Sequence, residues 1–122
     1  MLKDSLYTVI ATDHQGDVIN AVLEIDADNE IFLGHFPDQP VLPGACMLQM
    51  VKEVLENAIN TSIRLQKADN LKFLSLIGPH ENNLLHLEIN YTVEEAQIKV
   101  TANLSSLDVV CFKLQGVFVK GE

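Results

Sequence analysis

Gly34-His35-Phe36-Pro37-Asp38-Gln39-Pro40-Val41-Leu42-Pro43-Gly44 holds three prolines, two glycines and a histidine in eleven residues, directly ahead of an apolar segment with helical spacing. Proline fixes φ and removes a backbone donor, so this stretch is predicted to be a stiff loop, not a strand or helix interior. It delivers a helix N-terminus beside one imidazole. A titratable base next to unpaired backbone N–H groups suits proton abstraction with stabilisation of the anion that develops. Cys46, near the start of that helix, reads either as a packed thiol or as one with a depressed pKa. Asp38 is an exposed loop carboxylate that could supply an acid. His14, His80 and His86 fall in turns or on a polar strand face and need no chemical role.

The segment that follows, from Pro43 or Gly44 to about Asn60, changes period to that of a helix. Ala45, Leu48, Val51, Val54, Leu55 and Ala58 form one face, widened by Met47, Met50 and Ile59. Gln49, Lys52, Glu53 and Glu56 form a single narrow polar stripe. Most of this helix must therefore be buried, which calls for a sheet wrapped around it. Strand-like runs are predicted at Leu6–Ala11 and Val18–Asp26 before the loop. Leu71–Ile77, Leu85–Val93, Ile98–Leu104 and Val110–Phe118 follow the helix. The last three alternate with period two and are separated by short breaks, as in an antiparallel meander. The order β-β-loop-helix-β-β-β-β is an α+β solution, with sheet edges that need covering or pairing with another subunit.

The 122 residues, 48% hydrophobic, fit one domain over 1–122 with a real core. Eight basic and 17 acidic residues give a net charge of −9, which argues against nucleic acid. Arg64, Lys67 and Lys72 cluster locally and read as a solvated turn or as a docking patch for an acidic partner. No apolar run is long enough to span a membrane, and Met1–Ser5 carries no secretory signal. Two distant cysteines, Cys46 and Cys111, fit reduced core thiols in a cytoplasmic protein. No metal-ligand spacing is present.

His35-Phe36-Pro37, Pro40 three residues on, and Val41-Leu42-Pro43-Gly44 opening the helix together resemble the signature of the hot-dog-fold 3-hydroxyacyl-(acyl carrier protein) dehydratases. The element order is similar to theirs: an antiparallel sheet wrapped around one long central helix. The resemblance implies removal of water from a 3-hydroxyacyl thioester, without cofactor or metal, in fatty-acid or related lipid or polyene biosynthesis. It implies that His35 takes a proton from C2 and that the Val41 carbonyl fixes the imidazole tautomer. The Gly44 N–H would bind the thioester oxygen, with Phe36, Pro43 and Cys46 on the substrate-binding side. It also implies a dimer or a larger dimer-based oligomer, with the substrate carried on acyl carrier protein or coenzyme A. Arg64, Lys67 and Lys72 would then serve carrier docking.

One position departs from that pattern. The family's acidic residue lies fourteen positions after the histidine, and here that position is Gln49. Many members have a glutamine four residues later, and here that position is Glu53. Gln49 cannot deliver a proton to a leaving hydroxide as a carboxylic acid does. Glu53 is therefore a candidate substitute acid, or a helix residue paired with Gln49. Three readings stay open: a dehydratase in which Gln49 orients the hydroxyl or a water; a catalytically impaired subunit of a heterodimer whose partner brings the acid; or a hot-dog acyl thioesterase or non-catalytic acyl-binding module.

Overall fold

The computed structural model describes residues 2–33 and 40–121. Two strands, β1 (Tyr7–Gln15) and β2 (Val18–Ile25), lead through a 3-10 turn at Glu30–Phe32 to helix α1 (Gly44–Ile59). Four strands follow: β3 (Ile63–Phe73), β4 (Leu84–Glu94), β5 (Gln97–Ser106) and β6 (Val109–Lys120). All six form one antiparallel sheet in the order β1-β2-β4-β5-β6-β3, with the helix against it.

Alternation decides which side of each strand meets the helix. Ile19, Ala21, Leu23 and Ile25 of β2 are buried, as are Leu85, Leu87 and Ile89 of β4. Ile98, Val100, Ala102 and Leu104 of β5 join Phe112, Leu114 and Phe118 of β6 in the same core. Against them α1 sets Cys46, Met47, Met50, Val51, Val54 and Leu55. Of the predicted apolar face, Ala45 is exposed and Leu48 is half-buried. The helix starts after Pro43, whose fixed φ of −64° suits a helix entry, and stops at Asn60, in the left-handed region at φ 54°.

The strand after the helix begins eight residues earlier than the predicted Leu71–Ile77. Two register shifts in its pairing with β6, at Leu65/Lys67 and Ala68/Asn70, break the period-two pattern that would have revealed it. One shift is accommodated by Gly116, where a Cβ would lie 2.6 Å from the Lys67 carbonyl oxygen. Arg64, Lys67 and Lys72 therefore sit on an edge strand, not in a turn, and all three are exposed. The apolar run Leu74–Ile77 leaves the sheet and forms the wall beside the start of α1, where Ile77 accepts a hydrogen bond from the Leu42 amide at 2.8 Å. Likewise, β1 runs past the predicted end at Ala11 through Asp13-His14-Gln15, and only Gly16-Asp17 turns the chain.

Candidate active site

Three consecutive features position the start of α1. Leu42 is buried and pinned to Ile77, Val41 is buried beside it, and Pro43 caps the helix without a side-chain acceptor. Among the described residues the Gly44 and Ala45 amides have no hydrogen-bond partner, while those of Cys46 and Met47 reach the Pro43 carbonyl at 3.1 and 3.3 Å. The first amides of a helix carry partial positive charge, so this end is disposed to hold an oxyanion. Gly44 also leaves room for an aromatic ring, which a side chain at this position would displace. A Cβ there would lie 2.6 Å from Cε1 of Phe73 and 2.8 Å from its Cζ.

Phe73 escaped the sequence reading as a site residue. At the end of β3 its ring lies over the helix start, stacks obliquely on Phe112 with centroids 5.2 Å apart, and remains 54% exposed. Nothing in sequence distinguishes it from a core aromatic. Pro40 and Val41 line a cleft of about 240 Å³ with Leu76, Gly78, Asn82 and Leu107. His35, Phe36 and Asp38 lie outside the described residues, so their roles rest on sequence.

Cys46 is buried, and burial pushes its thiol pKa above the ordinary value. That is the opposite of an activated cysteine. Cys111 is buried and shifted upward for the same first reason, and both thiols are free. Among the described residues no group of His, Cys, Asp and Glu side chains could hold a metal ion.

About one helical turn along, the polar stripe resolves into a network. Glu53 is the one buried charged residue among those described, at 5% exposure. Its Oε2 accepts from Gln49 Nε2 at 2.8 Å and from the Leu2 amide at 2.9 Å. Its Oε1 accepts from Tyr7 Oη at 2.8 Å and from the Lys3 amide at 2.9 Å. A carboxylate has about four lone-pair positions, and all are taken. Burial alone would raise the Glu53 pKa, but the hydrogen bonds from Gln49, Leu2, Tyr7 and Lys3 outweigh it and hold the group below its ordinary range. Tyr7 is fully buried. Burial first, then the adjacent Glu53 hydrogen bond and charge, push its phenol far above the usual range, so it remains a donor. The tight turn at residues 2–6, closed by hydrogen bonds onto the Leu2 carbonyl, aims the two amides at Glu53. Tyr7, Leu2 and Lys3 are some fifty residues away in sequence, and no local pattern announced them.

The chain resembles known proteins both in sequence and in fold. The profile of the ApeI-like family, described as ApeI dehydratase, matches residues 11–111. FabZ, the 3-hydroxyacyl-[acyl-carrier-protein] dehydratase of Pseudoalteromonas translucida, is 28% identical over 111 residues, covering 79% of this chain and 74% of that protein. The FabZ of Wolbachia pipientis wMel is 27% identical over 84 residues, and the match spans 61% of this chain but only 57% of the relative's length. Among solved structures, the dehydratase heterocomplex ApeI:P from Xenorhabdus doucetiae superposes with a TM-score of 0.75 at 21% identity, covering 92% of this chain and 96% of that one. The candidate thioesterase yhdA from Lactococcus lactis superposes at 0.68 with 10% identity, covering 95% and 92%. The sheet-wrapped helix is thus the hot-dog fold, shared by dehydratases and thioesterases, and the chain belongs to the ApeI-like family of hot-dog dehydratases.

Proposed function

We propose that this chain acts on 3-hydroxyacyl thioesters, removing water to give the 2-enoyl thioester or supporting that step within a complex. The observation that carries the reading is the pair of amides at Gly44 and Ala45, without a partner among the described residues, in a chain whose sequence places His35 nine residues before Gly44. His35 takes the proton from C2. The Gly44 N–H receives the thioester oxygen as enolate charge develops, where a fixed donor is worth most. The Val41 carbonyl holds the imidazole tautomer. The C3–O bond then breaks as the C2–C3 double bond forms. The imidazolium returns its proton to the departing hydroxide, so water leaves and the thioester stays intact. Phe36, Pro43 and Cys46 lie on the acyl side. The pathway is fatty-acid or related lipid or polyene biosynthesis in the cytoplasm.

Carrier docking falls to Arg64, Lys67 and Lys72. The register sets Lys72 directly opposite Lys113, an arrangement of like charges that favours an anionic neighbour. Lys67 is partly engaged by Asp69 at 3.1 Å.

Gln49 favours a second reading, in which the chain is one subunit of a heteromeric dehydratase and the partner supplies the acid. The ApeI:P neighbour is itself a heterocomplex. The edge strands β1 and β3 leave backbone groups available for pairing with another subunit. The test is an assay of the purified chain on a 3-hydroxyacyl thioester, following enoyl-thioester absorbance in one arm and free-thiol release in the other. Enoyl product that disappears in His35→Ala supports the dehydratase. No product alone, but product with a partner hot-dog subunit added, supports the heteromer. Thiol release without enoyl product would overturn both in favour of a thioesterase.

A further inference from the structure

The two edges of the sheet, β1 and β3, differ in cover and in charge. The start of β1 is closed by the chain's own N-terminal turn, through the bridge of Lys3 with Tyr7. No described element lies beyond β3 in the sheet, and Phe73, Leu74 and Leu76 at its end are 54%, 51% and 73% exposed. An exposed apolar run beside an open backbone edge is suited to an interface. Yet β3 carries three cations, Arg64, Lys67 and Lys72, against one carboxylate, Asp69, in a chain of net charge −9. Asp69 is engaged by Lys67 at 3.1 Å, and among the described residues Arg64 and Lys72 form no ion pair. The register sets Arg64, Lys67 and Lys72 opposite Val119, Val117 and Lys113, whereas Leu71 and Phe73 lie opposite Leu114 and Phe112 of the core. The three cations therefore stand on the outer face of the sheet, where Lys113 adds a fourth.

We propose that β3 is the surface on which this chain joins its partner subunit, and that the partner is a hot-dog chain whose edge strand carries carboxylates opposite Arg64, Lys67 and Lys72. This rests on the reading of the chain as one subunit of a heteromeric dehydratase. A second copy of the chain is a poor partner at this edge. Pairing of identical edges is self-complementary, so residue i lies opposite j and j opposite i. Arg64, Lys67, Asn70 and Lys72 occupy successive outward positions on the ladder with β6. A two-fold axis between Lys67 and Asn70 overlaps the whole strand and sets Arg64 against Lys72 of the second copy twice. An axis at Lys67 sets that residue against itself, and an axis at Asn70 sets Lys67 against Lys72 of the second copy twice. Like charges directly opposite destabilise a strand pair, and carboxylates at those positions turn each repulsion into attraction. Specificity then comes from repulsion between copies as much as from attraction to the partner. Side chains stand perpendicular to the sheet, so pairing covers the backbone edge of β3 and leaves the cations at the surface.

Analytical ultracentrifugation tests this with a charge-reversed form of the chain as the probe: Arg64→Glu, Lys67→Glu and Lys72→Glu together. The native and reversed chains should each self-associate weakly. Their mixture should form a one-to-one dimer about 10- to 100-fold tighter at low salt, as two or three like-charge pairs become opposite-charge pairs. The difference should shrink as ionic strength rises. A neutral form, Arg64→Gln with Lys67→Gln and Lys72→Gln, should self-associate about 3- to 10-fold more tightly than the native chain, because the repulsion is removed. It keeps the test decisive should the reversed form fail to fold, and circular dichroism confirms the fold of each. Equal association of the native, neutral and mixed samples overturns the assignment of β3 while leaving the heteromer reading standing. A native chain that alone forms a stable dimer with full dehydratase activity overturns the heteromer reading and this inference with it.

Discussion

Replacing Glu53 by glutamine keeps the shape of the side chain and converts two of its acceptor positions into donors. The native carboxylate satisfies Gln49 Nε2, Tyr7 Oη and the amides of Leu2 and Lys3. The oxygen of the substituted amide can serve two of these. With the new NH2 on the side of Gln49, that amide can turn over and offer its own oxygen to it, which leaves the Leu2 N–H facing another donor. An unsatisfied buried donor costs about 1–3 kcal/mol, and each bond that loses its charge assistance weakens by about 0.5–1 kcal/mol. The two amides are only partly buried, so the lower part of these ranges applies and the sum is about 2–4 kcal/mol. In a domain of this size that corresponds to a fall in Tm of about 8–15 °C at pH 7. The folded-state pKa of Glu53 is depressed, so its contribution is fully present above the unfolded carboxylate value of about 4.3 and is lost as pH falls through the lowered folded value. Glu53→Gln carries no such group. Thermal melts by circular dichroism at pH 7 and at acid pH should therefore show a gap between native and variant that narrows below about pH 4. A shift under about 2 °C at pH 7, or a gap that stays constant on acidification, would refute the claim that the ionised carboxylate organises this corner of the fold.

Other outcomes follow from the same geometry. Gly44→Ala sets a methyl group against the Phe73 ring and should destabilise by about 1–3 kcal/mol in urea unfolding, with part of the loss recovered in the Gly44→Ala, Phe73→Ala double variant. His35→Ala should lower enoyl-thioester formation by at least about 10²-fold, and an unchanged rate would remove His35 from the mechanism. On the proposed dehydratase reading, exchanging Gln49 and Glu53 puts a carboxylic acid at position 49, and steady-state assays of the chain should show a rate gain of about 10²-fold or more if proton delivery limits turnover. Lys72→Glu with Lys113→Glu should weaken capture of an acidic carrier protein and flatten its dependence on ionic strength, measured by surface plasmon resonance.

The proline-rich loop, the apolar helix and the period-two strands are local patterns, so the wrapped sheet was legible from the sequence alone. Each depends on residues within a few positions of one another: prolines that forbid regular structure, a helical stripe, and alternation. The pairing of Gln49 with Glu53 was equally open to reading, because helical spacing sets the two one turn apart. The bulged start of β3 was not legible, since its register shifts need the partner strand β6 and Gly116 to be understood. Nor was the fate of Glu53. On the helix it looks like one more member of a solvated stripe, yet the turn at Leu2–Leu6 and the Tyr7 hydroxyl close over it from the other end of the chain. Local periodicity can mark a side chain as polar. Whether that side chain meets water or a shell of donors depends on which distant segment folds over it, and that choice sets the direction in which Gln49 points.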